Sequence, residues 1–243
     1  MDSKEYIIYV AGGLLGDFFL QLSVIKENYI KYNKKGLLYI TDKNLEGFRN
    51  PIETVYKDTY DIIIMQDYIS DYKLYNNEKF DINLSSWRNN NLLFKTSFGN
   101  IYSSEYNINW GKNKWIEKIP YDNKWKNIVL INTVPYRFYN NVNYDEYKLK
   151  YPEFKFIFIS IDKSHYDFFI SNTKQTNIDY YCPQSLLDAT IAINSCEFFM
   201  GNASALLCIS YSLYKNSITL VNSNYYDNIL HSDMLFLNTN YIT

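Results

Sequence analysis

The residues best suited to chemistry follow two small-residue turns. The first turn reads Gly12-Gly13-Leu14-Leu15-Gly16-Asp17. Its glycines permit positive φ and let backbone approach a ligand closely. The helix expected beyond them presents a partial positive charge and free N–H groups, a setting for a phosphate or a carboxylate. The spacing is not that of the dinucleotide fingerprint, and Asp17 would repel a pyrophosphate there. Asp17 has two readings: a cap for the helix, or a general base that takes a proton from an acceptor hydroxyl.

The second turn reads Met200-Gly201-Asn202-Ala203-Ser204-Ala205 and runs into an apolar helix. Small side chains let a ligand lie against the backbone, helix-start N–H groups can hold a diphosphate, and Ser204 adds a hydroxyl. The plainer alternative is an ordinary strand-to-helix turn capped by Asn202 or Ser204. A third cluster, Ser86-Trp87-Arg88-Asn89-Asn90, joins a flat aromatic, a guanidinium and amides. Such groups suit sugar or phosphate contacts at a strand end, with a packed Trp87 as the competing reading.

Other chemistries find less support. His165 and His231 are not spaced as a metal pair, and no Asp-x-Asp motif follows a strand. The acidic stretch Asp67 to Asp71 is interrupted by aromatics and reads as a solvated loop, so no metal is expected. Ser204 lacks the flanking glycines of a hydrolase nucleophile elbow. Cys182, Cys196 and Cys208 form no close pair, which points to a reducing compartment, and Cys208 reads as core.

These residues need elements to position them. Tyr6 to Val10 reads as a strand, followed by a helix with Phe18, Leu22, Ile25 and Tyr29 on one face; Gly36 is expected to stop it before a strand at Leu37 to Ile40. A helix at Ile52 to Thr59 and strands at Ile62 to Met65 and Phe80 to Leu84 follow, then loops and short helices from Trp87 to Tyr121. A second series begins at Ile128 to Ile131. Its further strands are Phe156 to Ile159, Ile178 to Tyr181, Phe198 to Met200 and Ile218 to Val221, and its helices are His165 to Ser171, Ser185 to Asn194 and Ser204 to Leu213. Alternation of this kind implies parallel sheets with crossover helices. The boundary is expected between Asp122 and Asn127, giving lobes 1–122 and 123–243, with the tail free to pack back on the first.

Composition narrows the function classes. The 243 residues carry a net charge of −2 with dispersed cations, which excludes a long phosphate-neutralising stripe and hence duplex nucleic acid as main partner. Aromatic content is 19%, with 26 tyrosines, so a single Tyr carries little meaning. No apolar run reaches the ~20 residues of a spanning helix, and the charged start at Met1 to Glu5 does not read as a signal peptide. A cytoplasmic protein without a transmembrane segment is expected.

The two turns together resemble the heptosyltransferase-like GT-B glycosyltransferases, those of glycosyltransferase family 9. The resemblance rests on Gly13-Leu14-Leu15-Gly16-Asp17 with Gln21-Leu22-Ser23, and on Gly201 to Cys208 preceded by Ile191 to Cys196 and ending in Tyr214-Lys215. It also covers Thr133 after the first strand of the second half, followed by Arg137, where the family places a hydroxyl and a cation near donor phosphates. It implies an α/β fold of two Rossmann-like lobes, GT-B type, with a cleft between them. The implied activity is inverting, metal-independent sugar transfer from a nucleotide-diphosphate sugar to a glycan or other hydroxyl acceptor, with no cofactor.

Under the resemblance Asp17 is the base. Arg137, Thr133, Gly201, Asn202, Ala203, Ser204 and Ala205 take the donor phosphates, and Gly13, Gly16, Gln21, Trp87 and Arg88 lie on the acceptor side. Ala203, Ala205 and Cys208 stand where the family often has Asp, Gly and His. Together with the short chain, these departures keep a second reading open: a GT-B-like module that binds a nucleotide or glycan without transferring it. Nothing in the sequence speaks against a homodimer.

Overall fold

Apolar, β-branched and aromatic runs separated by one-sided helices build two α/β units. The computed structural model describes residues 5–43, 47–138, 142–220, 229–232 and 239–242. One unit comprises Met1–Ile119 with Ile229–Asp233, and the other Pro120–Asn228 with Met234–Thr243.

The first unit runs β1 (Tyr6–Ala11), α1 (Leu15–Tyr32), β2 (Lys35–Ile40), α2 (Ile52–Ile64), β3 (Ile69–Leu74), β4 (Ile82–Asn83) and α3 (Phe98–Tyr106). Its parallel sheet has the order β3-β2-β1-β4. Phe18, Phe19, Leu22 and Ile25 of α1 are buried, and Phe18 meets Tyr72 of β3 at 6.2 Å between ring centroids. The loop after α3 is tied in through Trp115, whose Nε1 donates to the Phe19 carbonyl at 2.9 Å and whose carbonyl accepts from the Tyr68 hydroxyl at 2.5 Å.

Two local expectations are corrected here. Ile62 to Met65 is not a strand: α2 continues to Ile64 with Met65 as its C-cap, because Val55, Thr59, Ile62 and Ile63 form one buried helical face. Packing overrides the β-propensity of the isoleucines. The third strand is Ile69–Leu74, which takes in the end of the Asp67 to Asp71 stretch expected as loop. It is an edge strand carrying the Asp71–Lys73 ion pair at 2.6 Å, so it lacks an apolar signature.

Gly36 does not end α1 either. Asn33 does, in the left-handed conformation at φ 53° with its N–H on the Tyr29 carbonyl. Gly36 lies in β2, where a Cβ would sit 2.5 Å from Ile25 Cγ2 and 3.1 Å from the Tyr9 ring. Gly36→Ala is expected to destabilise the protein by about 1–3 kcal/mol through overpacking, read as a lower denaturant midpoint at unchanged slope.

The second unit runs β5 (Ile128–Asn132), α4 (Tyr144–Lys150), β6 (Lys155–Ile159), α5 (Lys163–Thr173), β7 (Asp179–Tyr181), α6 (Leu186–Ser195), β8 (Phe198–Gly201), α7 (Ala205–Ser212), β9 (Ser217–Leu220) and β10 (Thr239–Ile242). Val221, expected in the β9 strand, lies outside the described residues. The sheet is parallel in the order β10-β9-β8-β5-β6-β7, with Val129, Ile131, Phe156, Phe158, Met200 and Ile218 buried in one cluster. This is the doubly wound arrangement, in which strand order reverses beside the first strand. Among the described residues no helix is long and apolar enough to cross a membrane.

Strand order reverses beside β1 in the first sheet and beside β5 in the second. In open α/β sheets ligands bind outside the carboxyl ends of the strands at that point. The relevant segments are therefore those leaving β1 and β4, and those leaving β5 and β8.

Candidate functional site

In the first unit, β1 leaves the sheet through Gly12 and Gly13. Gly13 adopts φ +108°, which L side chains rarely take. Two buried side chains fix this turn: Gln21 Nε2 and Ser85 Oγ both donate to the Gly12 carbonyl, at 2.8 and 3.1 Å. The N-cap of α1 is Leu14, with no side-chain cap bond. Asp17 is thus not the cap; it sits inside the first helical turn, and its carboxylate pairs with the Arg88 guanidinium.

Arg88 belongs to the 3-10 turn Ser86–Asn89 just after β4. Tyr106 of α3 anchors that turn. Its hydroxyl accepts from Trp87 N and Ser86 Oγ and donates to the Asn83 carbonyl, each at 3.3 Å, and burial raises its pKa well above the ordinary tyrosine value. Trp87 is packed: it is 2% exposed and stacked on Tyr102 at 5.5 Å, with Arg88 Cζ 4.7 Å over its ring centre. A Cβ on Gly13 would lie 3.5 Å from Arg88 Nη2 and 3.7 Å from Asp17 Oδ2. The structure therefore gathers Gly13, Asp17, Gln21, Trp87 and Arg88 at the reversal point of the first sheet, with Gly16 in the same helical turn.

In the second unit, the segments leaving β5 and β8 are stapled together. Asn202 Oδ1 accepts from Val134 N at 3.0 Å, while its Nδ2 donates to the carbonyls of Val134 and Arg137 at 3.0 and 2.9 Å. Both amide hydrogens of Asn202 are committed to this loop. Arg137 Nη1 in turn donates to the Ala203 carbonyl at 3.0 Å, which holds the guanidinium at the turn. Gly201 is needed sterically, since a Cβ there would sit 2.6 Å from Phe199 Cε1 and 3.0 Å from the Asn132 carbonyl.

Ser204 is the N-cap of α7, its Oγ accepting from Leu207 N at 3.4 Å and donating to Asn132 Oδ1 at 3.1 Å. Helix geometry leaves the Ala205 and Leu206 amides without acceptors inside the helix. Thr133, Arg137 and Gly201 to Ala205 are thereby assembled around the start of α7, at the reversal point of the second sheet.

Two residues central to these arrangements were not singled out from the sequence. Asn132 links three elements, its Nδ2 donating to the Ile159 carbonyl at 2.7 Å while Oδ1 receives Ser204. An amide ending an otherwise apolar strand is the signal for it. Ser85, one residue before the Ser86-Trp87 cluster, had no distinguishing signal. Each reversal point also holds a buried polar atom with no hydrogen-bond partner among the described residues: Gln21 Oε1 in the first unit, Thr133 Oγ1 in the second. Buried groups of this kind call for an explanation, and a ligand is one.

Elsewhere, His165 approaches Ser160 Oγ at 3.4 Å and Asp162 at 3.7 Å around the start of α5. Among the described residues no three His, Cys, Asp or Glu side chains are grouped to hold a metal. Cys196 and Cys208 are buried, and burial pushes the Cys196 thiol up to about 12. A shallow depression of about 400 Å³ between Tyr151, Phe154, Glu197 and Phe198 lies at the amino ends of β6 and β8, away from the turns described above.

No protein-family profile and no curated protein sequence matches the chain. Solved structures do. A glycosyl transferase family 9 protein from Veillonella parvula DSM 2008 superposes with a TM-score of 0.58 at 12% identity, over 100% of this chain and 87% of that one. The iron-containing dodecameric heptosyltransferase TibC of enterotoxigenic E. coli, in complex with ADP-D-beta-D-heptose, matches with a TM-score of 0.62 at 9% identity, over 93% of this chain and 62% of that one. The E. coli ADP-heptose lps heptosyltransferase II matches with a TM-score of 0.53 at 13% identity, over 97% and 90%. At such identities the likeness is one of fold, and the chain has the heptosyltransferase-like α/β fold of glycosyltransferase family 9 structures.

Proposed function

We propose that the protein is a glycosyltransferase that moves a sugar from a nucleotide-diphosphate donor to an acceptor hydroxyl with inversion and without a metal. The observation that carries this reading is the placement of an acid and a cation-bearing cradle at the reversal points of the two sheets. Asp17 stands at the first, and Arg137 with the start of α7 at the second. Solved structures sharing the fold include heptosyltransferases.

In this reading the diphosphate lies against the amides of Ala205 and Leu206, with Gly201 and Ala203 keeping the approach open and Asn202 holding the loop that carries Thr133 and Arg137. Thr133 Oγ1 and Ser204 Oγ add hydroxyl contacts. The acceptor enters beside Gly13, Gly16 and Gln21. The acceptor oxygen attacks the anomeric carbon from the face opposite the diphosphate, its proton passes to Asp17, and the bond to the diphosphate breaks. Positioning and stabilisation of the departing charge supply most of the rate. The reading belongs to a cytoplasmic setting where nucleotide sugars are available, and it is compatible with a homodimer.

The test is incubation with a panel of nucleotide-diphosphate sugars and hydroxyl acceptors, following release of nucleoside diphosphate. Release with one donor, unchanged by EDTA, is expected, because Arg137 and the helix start carry the positive charge. A second reading, a module that binds without transfer, is favoured by the full commitment of the Asn202 amide to the loop and by Ala203, Ala205 and Cys208. Binding of a nucleoside diphosphate with no release from any donor would select it.

A further inference from the structure

Arg88, expected on the acceptor side, pairs its guanidinium with Asp17. The two side chains are only 16% and 14% exposed, so this is not a solvent-screened surface pair. Three surfaces confine the guanidinium: the Trp87 ring at 4.7 Å, the Gly13 backbone and Asp17 Oδ2. Trp87 is in turn fixed by Tyr102 and Phe98, and the 3-10 turn by Tyr106. A rigid aromatic platform is thus built beneath one cation, and that cation is aimed at one carboxylate.

We propose that Arg88 is the positioning residue of the base, holding Asp17 ionised and fixing which carboxylate oxygen meets the incoming hydroxyl. This rests on the assignment of Asp17 made above. An opposite charge within about 4–6 Å lowers a carboxyl pKa by roughly 1–3 units. Within one turnover, the acceptor proton moves to Asp17 as the new C–O bond forms. The neutral carboxylic acid then no longer balances the guanidinium, so Arg88 favours loss of that proton to solvent and restores the carboxylate. The planar guanidinium, stacked on Trp87 with Nη2 on Asp17 Oδ2, does this with a defined orientation that a lysine ammonium does not reproduce.

Of the charged groups on the elements around this turn, Glu105 of α3 accepts from Asn90 Nδ2 at 3.0 Å, and along α1 the next cation, Lys26, is bonded to Glu117 at 2.8 Å. Arg49 follows Phe48, whose ring meets Phe18 at 6.1 Å, and serves as the control.

The experiment compares kcat/KM against pH for the wild type, R88Q, R88K and R49Q. The acid limb is expected to move up by about one pH unit or more in R88Q, to stay in place in R88K with reduced kcat, and to move less in R49Q. Donor KM is expected to hold in all four. An unmoved limb in R88Q with a raised acceptor KM, or an equal shift in R49Q, overturns the proposal. Independently of turnover, carboxyl 13C NMR with Asp17 assigned through D17N reads the pair in the intact protein. The Asp17 carboxyl should titrate at lower pH in the wild type than in R88Q; equal midpoints in the two proteins reject the pairing role. Should D17N retain full turnover, the base assignment fails instead, and the NMR titration still decides whether Arg88 controls the carboxyl.

Discussion

Asp17→Asn is expected to cut transfer by roughly 100- to 10,000-fold, the usual range for removing a general base, while leaving affinity for a nucleoside diphosphate unchanged. The asparagine keeps the shape of the side chain and can still bond to the 3-10 turn, so Gly13 and the start of α1 should retain their conformation. It cannot take a proton from a hydroxyl. The measurement is a pair: steady-state kcat with the donor identified from the panel, and a diphosphate titration of the same variant. Undiminished kcat would remove Asp17 from the mechanism. Loss of kcat together with loss of diphosphate binding would show that the carboxylate is needed for folding or donor binding rather than for proton transfer.

Arg137→Met carries the second large effect and the opposite signature. The guanidinium is held at the α7 turn by the Ala203 carbonyl, and a charge-assisted bond to a phosphate is worth roughly 1.5–3 kcal/mol. Diphosphate affinity should therefore fall about 10- to 100-fold. Turnover should fall further still, by roughly 100- to 1,000-fold, because the charge on the leaving diphosphate is largest in the transition state. Methionine keeps an unbranched apolar side chain, and the Asn202 staple bonds only to the backbone of residues 134 and 137, so the loop keeps its main tie to the α7 turn when the charge is removed. Equal affinity in wild type and variant would place the phosphates elsewhere.

Legibility in the sequence followed burial. Strands buried along all or nearly all of their length, such as Phe198–Gly201 and Ile128–Asn132, announce themselves as apolar runs. The edge strand Ile69–Leu74 does not, since half of its residues face solvent and Asp71 and Lys73 interrupt it. Ile62 to Ile64 misleads in the reverse sense: three isoleucines look like a strand until the buried partners Val55 and Thr59 are counted along a helix. Asn33 shows the same limit at a helix end, where an asparagine in the left-handed region did what a nearby glycine was expected to do.

The candidate site was legible as two turns because glycine and small residues there serve the backbone directly. What local sequence could not reveal was the wiring between distant segments. Ser85 reaches Gly12 across 73 positions, Ser204 reaches Asn132 across 72, and Arg88 meets Asp17 across 71. Each of these contacts depends on which strands become neighbours at the reversal points. The pairings β1 with β4 and β5 with β8 are the topological facts that bring them together.

The central claim is that the start of α7 cradles a diphosphate. Amide 1H–15N shifts during titration with ADP, GDP, UDP, CDP and dTDP test it most directly. With one of these ligands, the Ala205 and Leu206 resonances should move first and saturate together with those of Thr133 and Arg137. Saturable binding that leaves Ala205 and Leu206 unmoved, or no binding by any of the five, would contradict the account.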